Sequence, residues 1–322
     1  MNPEPSHMTG ERKIRVAVIG VGHVGQHHAR IYRELPGVEL VGVVDIDRAK
    51  LQELSKSLGV AAFQDYRDMF GRVDAVSVAV PTVLHAPIAR ECLERDLDVL
   101  VEKPLAETLE EAEELTDLAK RRGRILQVGH VERFNGAVRA LHRMVKMPGF
   151  IECHRLSPFP QRSTDVDVIL DLMIHDIDII LSLVKSPVTQ VRAVGVPVLT
   201  DRVDIANARI EFASGCVANV TASRVSAERV RKIRIFQPDT YISLDYASQE
   251  ISLYRRLPGD PTFHPPQPPR IVREEVVVEK EEPLRLQLAS YLRSVRERTR
   301  PEVSGEEAVE ALRAASQILA KI

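Results

Sequence analysis

The sequence has no tryptophan, and only 4% of its 322 residues are aromatic, which leaves little with which to stack nucleic-acid bases or build a membrane-interface belt. It has no excess of charge either. With 44 Lys and Arg against 46 Asp and Glu, the formal net charge is -2, so no global field holds nucleic acid or an anionic membrane. No stretch approaches the roughly 18 apolar residues that a membrane-spanning helix needs, and Met1 to Lys13 contain no apolar core of a secretory signal. Cys92, Cys153 and Cys216 are odd in number and far apart, so they read as reduced, buried thiols and not as a disulfide framework or a C-x-x-C metal site. What remains is the profile of a cytoplasmic protein that handles small molecules. At 322 residues with 44% hydrophobic content the chain is too long for one ordinary core, and two domains are expected.

From Lys13 to His130 apolar and amphipathic runs alternate with short connections, the form of repeated βα units on a parallel sheet. Segments 15–19, 39–44, 74–80, 98–101 and 124–129 read as strands. Segments 26–35, about 84–94 and 108–122 read as helices, the last opened by the capping-box string Thr108-Leu-Glu-Glu111 and stopped by Gly123. After Arg133 the rhythm changes. One helical stretch near 166–184 is followed by strands without intervening helices, at 190–198, 206–212, 217–223 and 233–236, which implies an antiparallel sheet. Six prolines between Leu257 and Arg270 have no N–H to give a ladder and read as an exposed connection. Two helices close the chain, near 284–298 and after the capping-box string Ser304-Gly-Glu-Glu307. The expected architecture is α/β: a disordered tail over 1–12, a doubly wound parallel sheet over 13–130, and an α+β domain over 131–322 with a large, mainly antiparallel open sheet.

Gly20-Val-Gly-His-Val-Gly25 stands where the first strand ends and the first helix begins, the context in which G-x-G-x-x-G carries a mechanism. Gly20 makes the tight turn, Gly22 lets the backbone approach a pyrophosphate, and Gly25 lets helix and strand pack closely. The phosphates then sit on the helix N-terminus, beside His23 and Val24. Twenty residues on, Asp45 ends the second strand. A carboxylate there bonds the adenosine ribose 2′-hydroxyl and repels a 2′-phosphate, so NAD is expected over NADP. Asp47 adds a second negative charge, softened by Arg48. Val80-Pro81-Thr82 and Glu102-Lys103-Pro104 end two further parallel strands beside the point where strand order reverses, the place where such sheets bind ligands, and His85 is close by in sequence. His27 and His28 read as residues of the first helix and not as ligands.

Asp171, His175 and Asp178 fall at i, i+4 and i+7, which puts three polar groups on one face of an otherwise apolar helix, with Asp176 on another. Ionisable groups among Ile, Leu and Met are costly unless paired. A carboxylate beside an imidazole orients the ring and raises its basicity, which suits a general base; the same residues also fit a self-satisfied pair that braces the helix. Asp171 and His175 have zinc-ligand spacing, but no nearby Cys or further His completes a tetrahedral set, so no metal is expected.

Gly20–Gly25, Val80–Thr82 with His85, Glu102–Pro104, Gly129 with Arg133 and Phe134, Asp171 with His175, and Glu282-Pro-Leu284 together make the span from Ile14 to about Leu319 resemble the Gfo/Idh/MocA oxidoreductases. The resemblance implies an N-terminal Rossmann domain, a C-terminal domain whose open sheet forms homodimers or homotetramers, and NAD as a tightly held cofactor that meets a sugar or polyol. It implies Lys103 as catalytic lysine, His175 as acid–base residue and Asp171 as its orienting partner. The cofactor site it implies comprises Gly20, Gly22, His23, Val24, Gly25, Asp45, Val80, Pro81, Thr82, His85, Glu102, Lys103 and Pro104. Substrate contacts are expected from Lys103, Arg133, Asn135, Arg162, Asp171 and His175, and a nucleotide-sugar diphosphate would draw on Arg133, His154, Arg155 and Arg162. Many family members carry paired glycines before the Asp and a glycine between Asp and His. This chain has Val168-Ile-Leu170 and Met173, which sets it apart from the usual simple-sugar pocket. The string Asp171–Asp178 is most similar to the branch that oxidises UDP-N-acetylglucosamine at its 3-hydroxyl on the way to an amide-linked lipid A. A dehydrogenase of a free sugar, polyol or other carbonyl compound, and a non-catalytic NAD-binding sensor, stay open beside that reading.

Overall fold

The computed structural model describes residues 12–159, 166–259, 262 and 268–322. They divide into two compact units. The first runs to Glu102 and adds 114–127 and 288–302; the second comprises 103–113, 128–287 and 303–322.

The first unit is built on β1 (Ile14–Ile19), α1 (Gly25–Glu34), β2 (Val38–Val44), α2 (Arg48–Leu58), β3 (Ala61–Phe63), β4 (Ala75–Val78), α3 (His85–Glu94) and β5 (Asp98–Glu102), followed by α4 (Leu109–Arg122) and β6 (Leu126–Gly129). The strands form one parallel sheet in the order β3-β2-β1-β4-β5-β6, so the order reverses between β1 and β4. The central strands are mostly apolar because both faces of a parallel sheet are covered, and Val16, Ala17, Val18, Val99 and Leu100 are fully buried. The expected capping box of α4 is present: Glu111 N–H donates to Thr108 Oγ1 at 3.2 Å and Thr108 N–H to Glu111 Oε2 at 3.3 Å.

The second unit contains α5 (Gly136–Met144), β7 (Phe150–Leu156), α6 (Ile174–Val184), β8 (Val188–Val196), β9 (Ile205–Phe212), β10 (Val217–Ser223), β11 (Val230–Gln237), β12 (Thr240–Asp245), β13 (Glu250–Leu257) and β14 (Arg270–Glu274); α7 (Pro283–Glu297) and α8 (Gly305–Leu319) follow. Its eight strands run in the order β14-β13-β12-β11-β7-β10-β9-β8. Among the described residues the pairings of this sheet are antiparallel except β7 with β10, a parallel pair in the middle of the sheet. A parallel pair needs a crossover in place of a hairpin, and here α6, β8 and β9 provide it. One face of the sheet packs its Ile151, Cys153, Val220, Ile233 and Ile235 with Ile177 and Ile180 of α6 and Ala311 and Ala315 of α8. On the uncovered face, Phe150, Phe236, Tyr241 and Tyr254 form a row across four strands, with ring centroids 5.0 to 5.8 Å apart. The proline-rich connection between β13 and β14 lies largely outside the described residues.

All three cysteines are buried, and burial pushes the Cys92 thiol up to about 12, where it is inert. Among the described residues no helix is long and apolar enough to cross a membrane.

One ion pair fixes the turn between β8 and β9. Arg224 and Asp204 are both wholly buried, with Nε 2.8 Å from Oδ1. Asp204 also accepts from the amides of Val198 at 2.8 Å, Leu199 at 2.6 Å and Thr200 at 2.9 Å, and these donors with Arg224 hold its carboxyl well below the usual range despite its burial. Removing one partner leaves a buried charge. Arg224→Met is expected to cost about 3–5 kcal/mol in urea unfolding, and Arg224→Met with Asp204→Asn less than that. An unchanged urea midpoint for the single variant would show that the pair does not hold the turn.

Candidate active site

The first candidate constellation is the turn between β1 and α1. Gly20 has φ of +88°, and a Cβ there would press on the Ala79 carbonyl; a Cβ on Gly25 would overlap the Gly20 carbonyl. Gly22 is different, because a Cβ there would meet nothing within 4 Å. Its absence of side chain is not needed for packing. It keeps open the space at the start of α1, a helix with no side-chain cap and no acidic residue in its first turn, which suits an anion. Asp45 is tied to this turn, accepting from Val21 N–H at 2.8 Å and from Asp47 N–H at 2.9 Å. Asp47 is the N-cap of α2, accepting from the amides of Ala49 and Lys50, and Arg48 Nε donates to Gln64 Oε1 at 2.9 Å. These residues fit a bound dinucleotide: a cradle that a Cβ would fill, a helix N-terminus that no side chain caps and a carboxylate at the end of the second strand.

The ends of β4 and β5 complete this constellation. Thr82 opens a short 3-10 turn over Thr82–Leu84, and buried His85, the first residue of α3, has Nε2 2.9 Å from the Val80 carbonyl O. Beneath Glu102, buried His28 of α1 has Nε2 3.2 Å from Oε1. His28 meets Tyr32 edge to face, and the Tyr32 and Ser77 hydroxyls are 2.7 Å apart. The Lys103–Pro104 bond is cis.

The second constellation surrounds 168–184. The chain enters α6 through a π-helical turn, Ile169–Met173, in which Ile174 N–H reaches Ile169 O; sequence periodicity predicts a plain α-helix here, and wider turns of this kind recur at functional sites. Lys103 Nζ donates to the Asp171 carbonyl O at 2.6 Å and lies 3.4 Å from its Oδ1. Buried Arg155 donates to both Asp176 oxygens at 2.8 and 3.0 Å and to Glu132 Oε1 at 3.1 Å. Arg133 Nη2 donates to Glu307 Oε1 at 2.9 Å, and its Nη1 lies 3.5 Å from Asp178 Oδ1. Burial pushes the Asp178 carboxyl up, against the pull of His130 and Arg133.

Each carboxylate of this helix thus meets a cation, while His175 meets no carboxylate. Its Nδ1 is buried without a hydrogen-bond partner among the described residues. Burial, followed by the positive charge of Lys103, Arg155, His130 and Arg231, holds the imidazole well below its ordinary value. The expectation that a neighbouring carboxylate raises its basicity is corrected here: Asp171 is turned to Lys103 and Asp178 to Arg133. The ring is a neutral proton acceptor set among cations.

The other expected substrate residues have structural partners. Asn135 caps α5 with its Oδ1 on the Ala137 amide and gives its Nδ2 to the Tyr246 carbonyl at 3.0 Å. Arg133 and Arg155 are committed to the carboxylates just described, His154 is on the opposite face of β7 from Arg155, and Arg162 lies outside the described residues. Asp176, which helical phase sets apart from the other three polar residues, anchors Arg155. Glu132, His28 and Arg231 carry no motif. Only the presence of charged residues within apolar elements signals Asp176 and Arg231, and the capping-box position signals Glu307. No group of three or more His, Cys, Asp or Glu among the described residues is placed to hold a metal.

Comparisons with known proteins bear on both units. The family model described as "Oxidoreductase family, NAD-binding Rossmann fold" matches residues 14–130, and that of the "GFO/IDH/MocA C-terminal domain" matches 136–239. The chain is 36% identical over 288 residues, 88% of each chain, to a UDP-N-acetylglucosamine 3-dehydrogenase of Acidithiobacillus ferrooxidans. A solved structure of that dehydrogenase superposes with a TM-score of 0.89 at 34% identity, covering 96% of this chain and 98% of the other. A scyllo-inositol 2-dehydrogenase (NAD(+)) of Bacillus subtilis is 29% identical over 235 residues, 67% of this chain and 69% of its own.

The glycine geometry separates packing from binding. Gly22→Ala is expected to melt as the parent does and to weaken NADH binding at least about tenfold, about 1.4 kcal/mol, in a fluorescence titration. Gly25→Ala is expected to lose stability as well. A Gly22→Ala protein that binds NADH as the parent does would show that the open space is not a cofactor cradle.

Proposed function

The chain belongs to the Gfo/Idh/MocA family of oxidoreductases, with an NAD-binding Rossmann domain, and from that premise we propose that it oxidises UDP-N-acetylglucosamine at the 3-hydroxyl. The observation that carries the substrate is the reach of the likeness: the similarity to the UDP-N-acetylglucosamine enzyme extends through both units, at higher identity than that to the inositol enzyme. The Rossmann turn would hold the cofactor pyrophosphate with the Gly22 backbone and the N-terminus of α1, and Asp45 would take the adenosine ribose. Bound NAD supplies the acceptor for the hydride that leaves the sugar carbon.

The remaining chemistry belongs to side chains. Lys103 donates to the reacting oxygen, and His175 removes the hydroxyl proton at Nε2, the ring nitrogen opposite buried Nδ1, leaving a ketone. Asp171 is a positioning residue that steers Lys103. A 3-keto sugar is the substrate class of an aminotransferase, which is the step that an amide-linked lipid A requires. The aromatic row on the uncovered sheet face supports self-association of copies into homodimers or homotetramers through that sheet.

Mixing the protein with NAD and UDP-N-acetylglucosamine is expected to raise absorbance at the NADH band, while scyllo-inositol and free sugars give little. The reverse ranking, or no turnover at all, would defeat the substrate reading. His175→Ala is expected to lower kcat about 10²–10⁴-fold. The pH profile follows from the direction of the His175 shift. A depressed pKa keeps the ring neutral as pH falls through the ordinary value near about 6.5, so the acid limb of kcat/KM should lie below it. Lys103→Met removes a cation, lets the His175 value rise, and should move the limb up as well as slow turnover; ring proton titration by NMR reads the same shift without activity.

A further inference from the structure

Around His175 the cations are unevenly neutralised. Arg231 of β11 is directly opposite Arg155 of β7 in the sheet register, so both side chains project from the same face, the face that packs on α6. Two carboxylates are within electrostatic reach of this pair, Glu132 and Asp176. Neither bonds Arg231: Asp176 accepts from Arg155 with both oxygens, and Glu132 accepts from Arg155 with Oε1 and from Asn135 Nδ2 with Oε2. Tyr246, whose ring lies 5.0 Å under the Arg155 guanidinium, has a buried hydroxyl with no hydrogen-bond partner among the described residues. Donors in this cluster therefore exceed acceptors. The Arg231 guanidinium is half-buried and has no acceptor among the described residues. Arg229, exposed at the turn before β11, adds positive charge on the same side.

A partly buried guanidinium that meets a second guanidinium, and no acceptor among the described residues, is costly for the fold alone. Five N–H donors in a fixed fork match the oxygens of a phosphate, and that match offsets the cost once such a group is bound. We propose that Arg231 is the binding residue for the diphosphate of a nucleoside diphosphate sugar, with its sugar directed to His175. This deepens the function proposed above and rests on it for the identity of the sugar, but not for the anion site. It also moves the recognition of the diphosphate away from Arg133 and Arg155, whose guanidinium groups are already committed to carboxylates.

The probes are UDP, UDP-N-acetylglucosamine and NADH, and the variants are Arg231→Gln and Arg231→Lys. Calorimetry is expected to show UDP binding to the parent protein that falls at least tenfold in Arg231→Gln and less in Arg231→Lys, with NADH affinity retained in both. The KM for UDP-N-acetylglucosamine should rise in the same order. UDP affinity unchanged in both variants overturns the proposal, as does a parent protein that binds no UDP. Loss of NADH affinity with UDP affinity intact also overturns it, because the guanidinium then serves the cofactor. UDP binding that depends on Arg231, in a parent protein that never oxidises UDP-N-acetylglucosamine, supports the anion site while the 3-dehydrogenase reading fails. Turnover of that sugar with an unaltered KM in Arg231→Gln does the opposite. Should Arg231→Gln not fold, Arg231→Lys carries the comparison by itself.

Discussion

Three carboxylates projecting from one apolar stretch, 168–184, impose the constraint on which the second unit depends. Asp176 and Asp178 are almost wholly buried and Asp171 half so. A carboxylate out of water among Ile, Leu and Met is tolerable only with a cation beside it. Each therefore recruits one from a different segment: Lys103 after β5, Arg155 on β7, and Arg133 before α5. Those pairings tie the turn after β5, the middle of the sheet and the start of α5 to a single helix. Glu307, in the first turn of α8, joins through Arg133 and serves its own helix as a capping-box residue. Burial keeps His175 neutral, and the same arrangement adds to it, because the carboxylates of this stretch are turned to cations and not to the ring.

The first unit depends on backbone sterics in place of charge. Two of the three glycines in the β1–α1 turn are demanded by the fold, since a side chain on Gly20 or Gly25 would strike a carbonyl, and one is not. A sequence pattern of three glycines thus conceals two different reasons for glycine. The position without a packing reason, Gly22, is the one that a pyrophosphate needs open. The carboxylate of Asp45 adds rigidity, since its bond to the Val21 amide fixes the turn to the end of β2. Turn and strand end are then one rigid piece before any ligand arrives.

Five of the six parallel strands were legible in the sequence because their centres are apolar and their connections short, whereas β3, three largely exposed residues at the sheet edge, and α2 before it were not. The glycine turn, Asp45, the two capping boxes and the strand ends at Val80 and Lys103 are likewise local features that sit where their patterns imply. β7 was not legible. Its residues, Phe-Ile-Glu-Cys-His-Arg-Leu, alternate correctly only if Arg155 counts as an inward residue, and nothing local says that a distant Asp176 will neutralise it. The parallel pairing of β7 with β10 was hidden for the same kind of reason, being a contact between segments more than sixty residues apart. Helical phase correctly grouped Asp171, His175 and Asp178, but it assumed an unbroken α-helix. The π turn, and the choice of partner by each acid, depend on residues that phase does not see.

The balance of 44 basic against 46 acidic residues takes on a local meaning at His175. With no net positive field from the chain as a whole, any phosphate must be met by a few groups placed for it, a helix N-terminus in one unit and an uncompensated guanidinium in the other. Burial first, and the surrounding cations after it, hold His175 neutral and make it a weak base, which disfavours taking a proton from a hydroxyl. A dianionic diphosphate on Arg231 would offset part of that positive charge and bring the imidazole back toward its ordinary value. The base would then gain strength when the substrate's charged end is in place, and a neutral sugar without a diphosphate would meet a ring poorly able to accept its proton. On this argument the preference for a nucleotide sugar lies in the electrostatics of the base as much as in the grip on the phosphates.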